Sequence, residues 1–297
     1  MTGATVAQVI LVMLLWASCF PLITIGIEYA PHLTFAALRA VLAGSVLTVL
    51  AVVLRRPFPK NGRLWAAISI IGFSSTGLGF LGMFHAAEFV SPGVATVIAN
   101  TQPLLAAILA NIVLNEKLVA QSKAGLALGF AGILTIAMPQ ILSEGHQSYI
   151  LGVAYIFLAA LGITISNVLI KKITPDVDAL TAMGLQILIG SSPLIFGAWI
   201  MEEPASVRWS YEFVGALLGL SLLGTALVYW LWFSILARTP LNQANCFSFL
   251  IPIFGLTMGM LFYGESLHGV QLVGIALTVL GVGLVTRGSA RPLAADE

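Results

Sequence analysis

The sequence predicts an all-α integral membrane protein: ten transmembrane helices, arranged as two inverted five-helix repeats with both termini in the cytoplasm. Three observations predict it. The composition is almost uniformly apolar, apolar runs of about 20 residues recur along the whole chain, and the second half resembles the first.

Hydrophobic residues fill 59% of the 297 positions and charged residues only 8%, whereas a soluble globular domain carries roughly 25% charged residues. A mean hydropathy of +1.02 points the same way, and a water-soluble fold is excluded. The net charge of +1 gives no basic excess for nucleic acid and no acidic excess for cationic partners. The expected partners are therefore the lipid bilayer and a small-molecule substrate. Cys19 and Cys246 both lie in apolar stretches and read as buried thiols, neither a disulfide framework nor a metal cluster. No cofactor or metal is expected. Residues 1–5 lack the Lys or Arg of a signal peptide, so the first apolar run reads as a retained helix.

The spans, in order, are 5–27, 33–54, 64–86, 92–114, 120–138, 149–171, 180–200, 211–236, 241–262 and 269–287, each bounded by charged residues, Pro or Asn. They must be helices, because hydrocarbon tolerates no unpaired backbone groups and the runs are too long and too uniform for barrel strands. Lys and Arg concentrate in short cytoplasmic loops. Ten spans with both ends inside put every Lys and Arg of the chain in the cytoplasm except Arg208, outside, and Arg39, within the second span. Losing or gaining one span would scramble that bias.

Shifting the chain by 149 residues superimposes 116–132 on 265–281, where six of seventeen positions coincide. Matches of Gly, Leu and Ala come cheaply between apolar sequences, but Glu116 with Glu265 and Pro103 with Pro252 do not; Thr76 with Thr225 and Phe84 with Phe233 extend the series. The repeats are 1–142 and 143–297. Five spans each is an odd number, so the second half lies inverted, an architecture of secondary transporters in which one half rocks against the other.

The residues that follow carry a family resemblance over nearly the whole chain. They are Trp16-Ala17-Ser18-Cys19-Phe20, Ala37-Leu38-Arg39, Pro103, and two duplicated signatures. The first signature is Asn115-Glu116-Lys117-Leu118 with Gly125 and Gly132; the second is Gly264-Glu265-Ser266-Leu267 with Gly274 and Gly281. Together they resemble the drug/metabolite transporter superfamily, in its ten-span EamA-type branch. The resemblance implies an alternating-access carrier whose cavity is lined by the first, third, fourth, sixth, eighth and ninth spans. It also implies export of amino acids, related metabolites or toxic compounds.

Polar groups within spans usually face a cavity or another helix. Thr96, Asn100 and Pro103 form one helical stripe, and Asn245, Ser248 and Pro252 another. Both prolines release a carbonyl, at Ala99 and Ser248, for kinking or gating; interhelical hydrogen bonding is the alternative use of these stripes. Trp16 and Phe20 share a face of the first span, and Tyr229, Trp232 and Phe233 share one in the eighth. Asn167 in the sixth span and His85 near the end of the third complete the candidate substrate-binding set. Aromatic faces with a few amides suit a neutral or zwitterionic solute with an apolar part. For Trp232 an interfacial anchor remains equally open.

Arg39 lies about 9 Å below the end of its helix and reads first as a structural residue bonded to loop carbonyls near the surface, second as a carboxylate ligand. Glu116 and Glu265 read as organisers of tight turns. No carboxylate sits at mid-depth, so facilitated diffusion or exchange stands beside proton coupling. Gly77-x-Gly79-x-x-Gly82 follows no strand and reads as helix packing, not a dinucleotide loop. Gly125/Gly129, Gly215/Gly219 and Gly255/Gly259 either pack within the chain or join a homodimer. Asp176 and Asp178 read as loop residues.

The expected function is secondary transport, with export of small metabolites such as amino acids or related neutral, zwitterionic or aromatic compounds. A carrier for phosphorylated sugars or nucleotide sugars is the alternative, although a polyanion would need more basic residues than Arg39. A membrane enzyme lacks any HExxH, GxSxG or acidic cluster, and a passive channel would show conductance without saturation. Short loops and the lack of N-glycosylation acceptors fit a multi-pass protein of a bacterial inner membrane.

Overall fold

The computed structural model describes residues 3–102, 104, 105, 108, 120–141, 146–203, 206–239, 244, 246–266 and 269–289, and all regular structure among them is helical. The helices are α1 (Gly3–Ala17), α2 (Cys19–Ile27), α3 (His32–Val53), α4 (Gly62–Ile71), α5 (Gly79–Ala86), α6 (Pro92–Ala99) and α7 (Ala120–Ile141). They continue with α8 (His146–Ile173), α9 (Ala179–Met201), α10 (Tyr211–Leu218), α11 (Val228–Arg238), α12 (Leu250–Tyr263) and α13 (Gly269–Ser289). π-Helical turns, Gly72–Leu78 and Gly219–Leu227, join α4 to α5 and α10 to α11, and a 3-10 turn, Cys246–Phe249, precedes α12. Six helical stretches are long and apolar enough to cross a membrane: Gly3–Ile27, His32–Val53, Gly62–Ala86, Ser148–Ile173, Ala179–Met201 and Tyr211–Arg238. Leu250–Tyr263 and Gly269–Gly281 are shorter apolar helices. The outer surface is apolar too: Val53, Trp199, Met201, Leu261 and Phe262 are between 68% and 77% exposed, as lipid contact allows and water does not.

Local chemistry sets the helix ends. Asn61 accepts the Leu64 N–H at 2.9 Å, Asp178 accepts those of Leu180 and Thr181, and Ser210 accepts that of Phe213, each an N-cap. Asp178 thus belongs to a helix cap. Gly264, at φ +61, ends α12 in the left-handed conformation that glycine adopts freely. Two further caps come from distant elements. The Glu202 carboxylate accepts the backbone N–H groups of Leu33 and Thr34, at 2.8 and 2.7 Å, from the first turn of α3. Glu265 accepts the Gly93 N–H at 2.8 Å, at the start of α6. Glu265 therefore does more than shape its own turn, while the Asn115-Glu116-Lys117-Leu118 signature lies outside the described residues.

The helices depart from unbroken rods in three places. The first span breaks at Ser18, because Pro21 has no N–H for the Ala17 carbonyl. The third and eighth spans widen into π-turns, whose freed carbonyls are taken up by hydroxyls: Thr225 Oγ1 donates to the Leu220 carbonyl at 2.8 Å. The fourth stops at Ala99, with Asn100 as its C-cap. Pro103, itself outside the described residues, has no N–H for that Ala99 carbonyl. Pro252 sits buried in the first turn of α12 rather than at a mid-helix kink.

Packing pairs like with like along the chain: α3 lies on α9, α7 on α13, and α6 on α12. Small residues permit the close approach. A side chain on Gly132, Gly274 or Gly281 would collide across the α7–α13 interface, and one on Gly190 would collide with the Gly72 carbonyl. Gly82 meets the backbone of Tyr155 in α8, so the Gly77-x-Gly79-x-x-Gly82 run packs helices. Gly129, Gly255 and Gly259 likewise face atoms of the same chain, whereas Gly215 has open space. Gly190→Ala and Gly132→Ala should therefore each cost about 1–3 kcal/mol by overpacking and lower the melting temperature of the detergent-purified protein. Gly215→Ala should leave it unchanged or slightly raised, and equal effects at all three positions would contradict this packing.

Candidate functional site

One cavity of about 110 Å³ lies where the broken and widened segments converge. Its wall takes Trp16 and Phe20 from either side of the break at Ser18, Asn100 from the end of α6, Asn167 from α8, and Tyr229 and Trp232 from α11. These come from five predicted spans, and each was a candidate binding residue. Trp232 is 4% exposed and so is no surface anchor. Its indole Nε1 donates to Asn167 Oδ1 at 3.1 Å, and its ring meets Trp16 edge-on at 5.0 Å. The pair thereby fixes each other's orientation. Asn100 is 4% exposed, and its Nδ2 has no hydrogen-bond partner.

His85 does not line this cavity. Its ring stacks on His32 at 5.4 Å and lies against Tyr155 at 5.1 Å, while Glu88 approaches His32 Nε2 at 3.6 Å. Asn245 falls outside the described residues. Ser248, one stripe position further, is buried with its hydroxyl unpartnered.

Arg39 is the principal site feature that the sequence misplaced. It is not bonded to loop carbonyls near a surface. The side chain is 1% exposed and lines the cavity. Its Nε donates to Thr225 Oγ1 at 2.8 Å, and Nη2 reaches the Gly224 carbonyl at 3.4 Å and Cys19 Sγ at 3.5 Å. The guanidinium carbon lies 4.1 Å from the centroid of Phe80, a cation–π contact. Nη1 has no partner. The π-turn explains the arrangement, because its widening presents Gly224 and Thr225 toward α3. Across the molecule Gln186 of α9 accepts hydrogen bonds from Ser75 at 3.1 Å and Thr76 at 3.2 Å in the other π-turn. Ser75 and Met183 also reach the cavity wall.

The wall as a whole is apolar and aromatic, with a few aimed donors, the usual make-up of a small-molecule site. Its residues come from the first, third, fourth, sixth, eighth and ninth predicted spans, with Arg39 and Met183 added from the second and seventh.

Comparison with known proteins agrees with this geometry. Residues 3–138 and 150–287 each match the EamA-like transporter family. A chloroplastic WAT1-related protein of Arabidopsis thaliana is 31% identical over 258 residues, 84% of this chain and 61% of that protein. A protein of Salmonella typhimurium named "Probable amino-acid metabolite efflux pump" is 27% identical, over 92% of this chain and 91% of its own length. A solved crystal structure superimposes with a TM-score of 0.68 over 97% of this chain and 98% of that chain, at 18% identity, and so shares the fold.

Thr225 is the hydroxyl on which the Arg39 placement turns. Thr225→Val removes two buried hydrogen bonds, each worth roughly 0.6–1.7 kcal/mol in a membrane protein, and should lower the melting temperature by several degrees. Thr225→Ser should restore it.

Proposed function

Because the chain belongs to the EamA-like transporter family, we propose that it is a secondary carrier that exports small metabolites, such as amino acids or related neutral, zwitterionic or aromatic compounds, by alternating access. The observation that carries this reading is the convergence of Trp16, Phe20, Asn100, Asn167, Tyr229 and Trp232 on one cavity. Those residues come from segments far apart in sequence and have no shared structural duty that would gather them. The name of the Salmonella relative supports the efflux of amino-acid metabolites. A carrier of phosphorylated sugars or nucleotide sugars fits less well, because Arg39 is the single basic residue in the wall.

The architecture that belongs to this reading is ten spans in two inverted halves, 1–142 and 143–297, with both termini cytoplasmic in a bacterial inner membrane. Four observations support it: the family matches twice, like helices pair, Thr76 and Thr225 each occupy a π-turn, and Lys and Arg fall on one side of the predicted spans. The two halves then form the walls that rock about the cavity.

In proteoliposomes the protein should give saturable uptake of at least one solute in a broad screen of labelled amino acids and aromatic metabolites. Trp16→Ala, Asn100→Ala and Tyr229→Phe should each change the preference among transported solutes by roughly 2- to 10-fold, the worth of one aromatic or hydrogen-bonded contact. Unchanged kinetics in all three would remove the cavity from the transport path. Conductance without saturation would replace the carrier with a channel.

A further inference from the structure

We propose that Arg39 and Asn100 together read a carboxylate on the transported solute, and that this single negative charge, rather than an amino group, is the feature a substrate must carry. The proposal rests on the carrier reading above and deepens it.

A buried guanidinium needs both hydrogen-bond acceptors and an opposing charge. Arg39 has acceptors on one edge only. Nε and Nη2 are held by the Thr225 hydroxyl, the Gly224 carbonyl and Cys19, and Phe80 covers the face. Each of these partners is neutral. The ion pairs found among the described residues, His32–Glu88 and Arg56–Asp178, do not involve Arg39. Nη1 remains as a donor without a partner, in a side chain that is 1% exposed and forms part of the cavity wall.

Asn100 supplies the second donor. Its Nδ2 is also buried and unpartnered, and it stands in the same wall. Two unpartnered donors, one of them cationic, are a receptor for an oxyanion. The wall contains no Asp or Glu and no Lys or Arg besides Arg39, so the balance of fixed charge is a single positive one. A monocarboxylate matches it, a dianion exceeds it, and a bare cation is repelled.

An amino group finds much less. Asn167 Oδ1, the amide oxygen suited to receive it, already accepts from Trp232. What remains is hydroxyls and the aromatic faces of Trp16, Tyr229 and Trp232, which serve an apolar body equally well. The wall thus has a fixed anion end and an adaptable aromatic end.

The test is binding to the full-length protein in detergent, by equilibrium dialysis, of four related probes: phenylalanine, 3-phenylpropionate, phenethylamine and phenylalanine methyl ester. The two acids should bind with similar affinity, and the amine and the ester at least about tenfold more weakly, as expected when a buried charge loses its counter-charge. Arg39→Gln should abolish the preference for acids, and Arg39→Lys should keep it in part. Since Arg39→Gln also loosens the π-turn, Asn100→Asp gives an independent arm: it leaves the Arg39 anchorage intact and supplies an internal carboxylate, so acid binding should fall and amine binding rise. Amine or ester binding as tight as acid binding, or unchanged acid affinity in a folded Asn100→Asp or Arg39→Gln protein, overturns the proposal. If none of the four probes binds while other solutes show saturable transport, the carboxylate assignment falls and the carrier reading stands. If no solute is transported at all, the carrier reading itself fails.

Discussion

The rest of the structure depends on holding one positive charge away from water. Placing a cation inside hydrocarbon is expensive, by several kcal/mol even after relaxation, so every neighbour of Arg39 has to earn its place by lowering that cost. The π-turn Gly219–Leu227 does so by turning a carbonyl and a hydroxyl outward from a helix that would otherwise keep them to itself. Phe80 adds its ring face. These groups offset the cost without cancelling the charge, and the remaining donor opens on the cavity. The site and the helix irregularities are therefore one device, since a regular eighth helix would leave the guanidinium without its anchorage.

The opposite side of the molecule repeats the device without the charge. Gln186 reaches from α9 to the hydroxyls of Ser75 and Thr76 in the first π-turn, as Arg39 reaches from α3 to the second. In both cases a long polar side chain crosses to a threonine in a widened turn. A neutral amide is satisfied more cheaply than a guanidinium, and this leaves the cavity electrically one-sided. Two halves of similar construction can thus enclose an asymmetric site, provided a single position differs in charge.

Much of this was legible in the sequence because lipid imposes simple rules. Apolar runs and their charged borders follow from the thickness of the bilayer and the cost of an unpaired backbone, and the observed helices begin and end close to the predicted spans. Trp16, Phe20, Asn100, Asn167, Tyr229 and Trp232 were recognisable because aromatic and amide groups at mid-span demand partners. Three features were not legible, each for a tertiary reason. The acceptor of Arg39 Nε lies 186 positions away, and depth along a helix says nothing about what stands opposite. His85 shows the converse: its position near a helix end was readable, but the His32 and Tyr155 rings that claim it come from other helices. The π-turns leave only a cluster of Gly, Ser and Thr in the sequence, which close helix packing would produce as well.

The packing also limits how such a molecule can move. The α3–α9 and α7–α13 pairs interlock through glycines that leave no room for a methyl group, so prying them apart would forfeit contacts along their length. Glu202 bonds the first turn of α3 and Glu265 the first turn of α6, each joining residues from opposite sides of position 142. A carboxylate on helix-terminal amides is a directional contact, lost over a small displacement rather than stretched. On the carrier reading, the motion consistent with these contacts is therefore discrete. The interlocked pairs serve as pivots, and the segments free to bend are those where the helix is already broken: Ser18, Asn100 and the two π-turns. Apart from the first π-turn's glycines, these are the segments that present Trp16, Phe20, Asn100 and Arg39 to the cavity, so a change in their geometry would reshape the site and its access together.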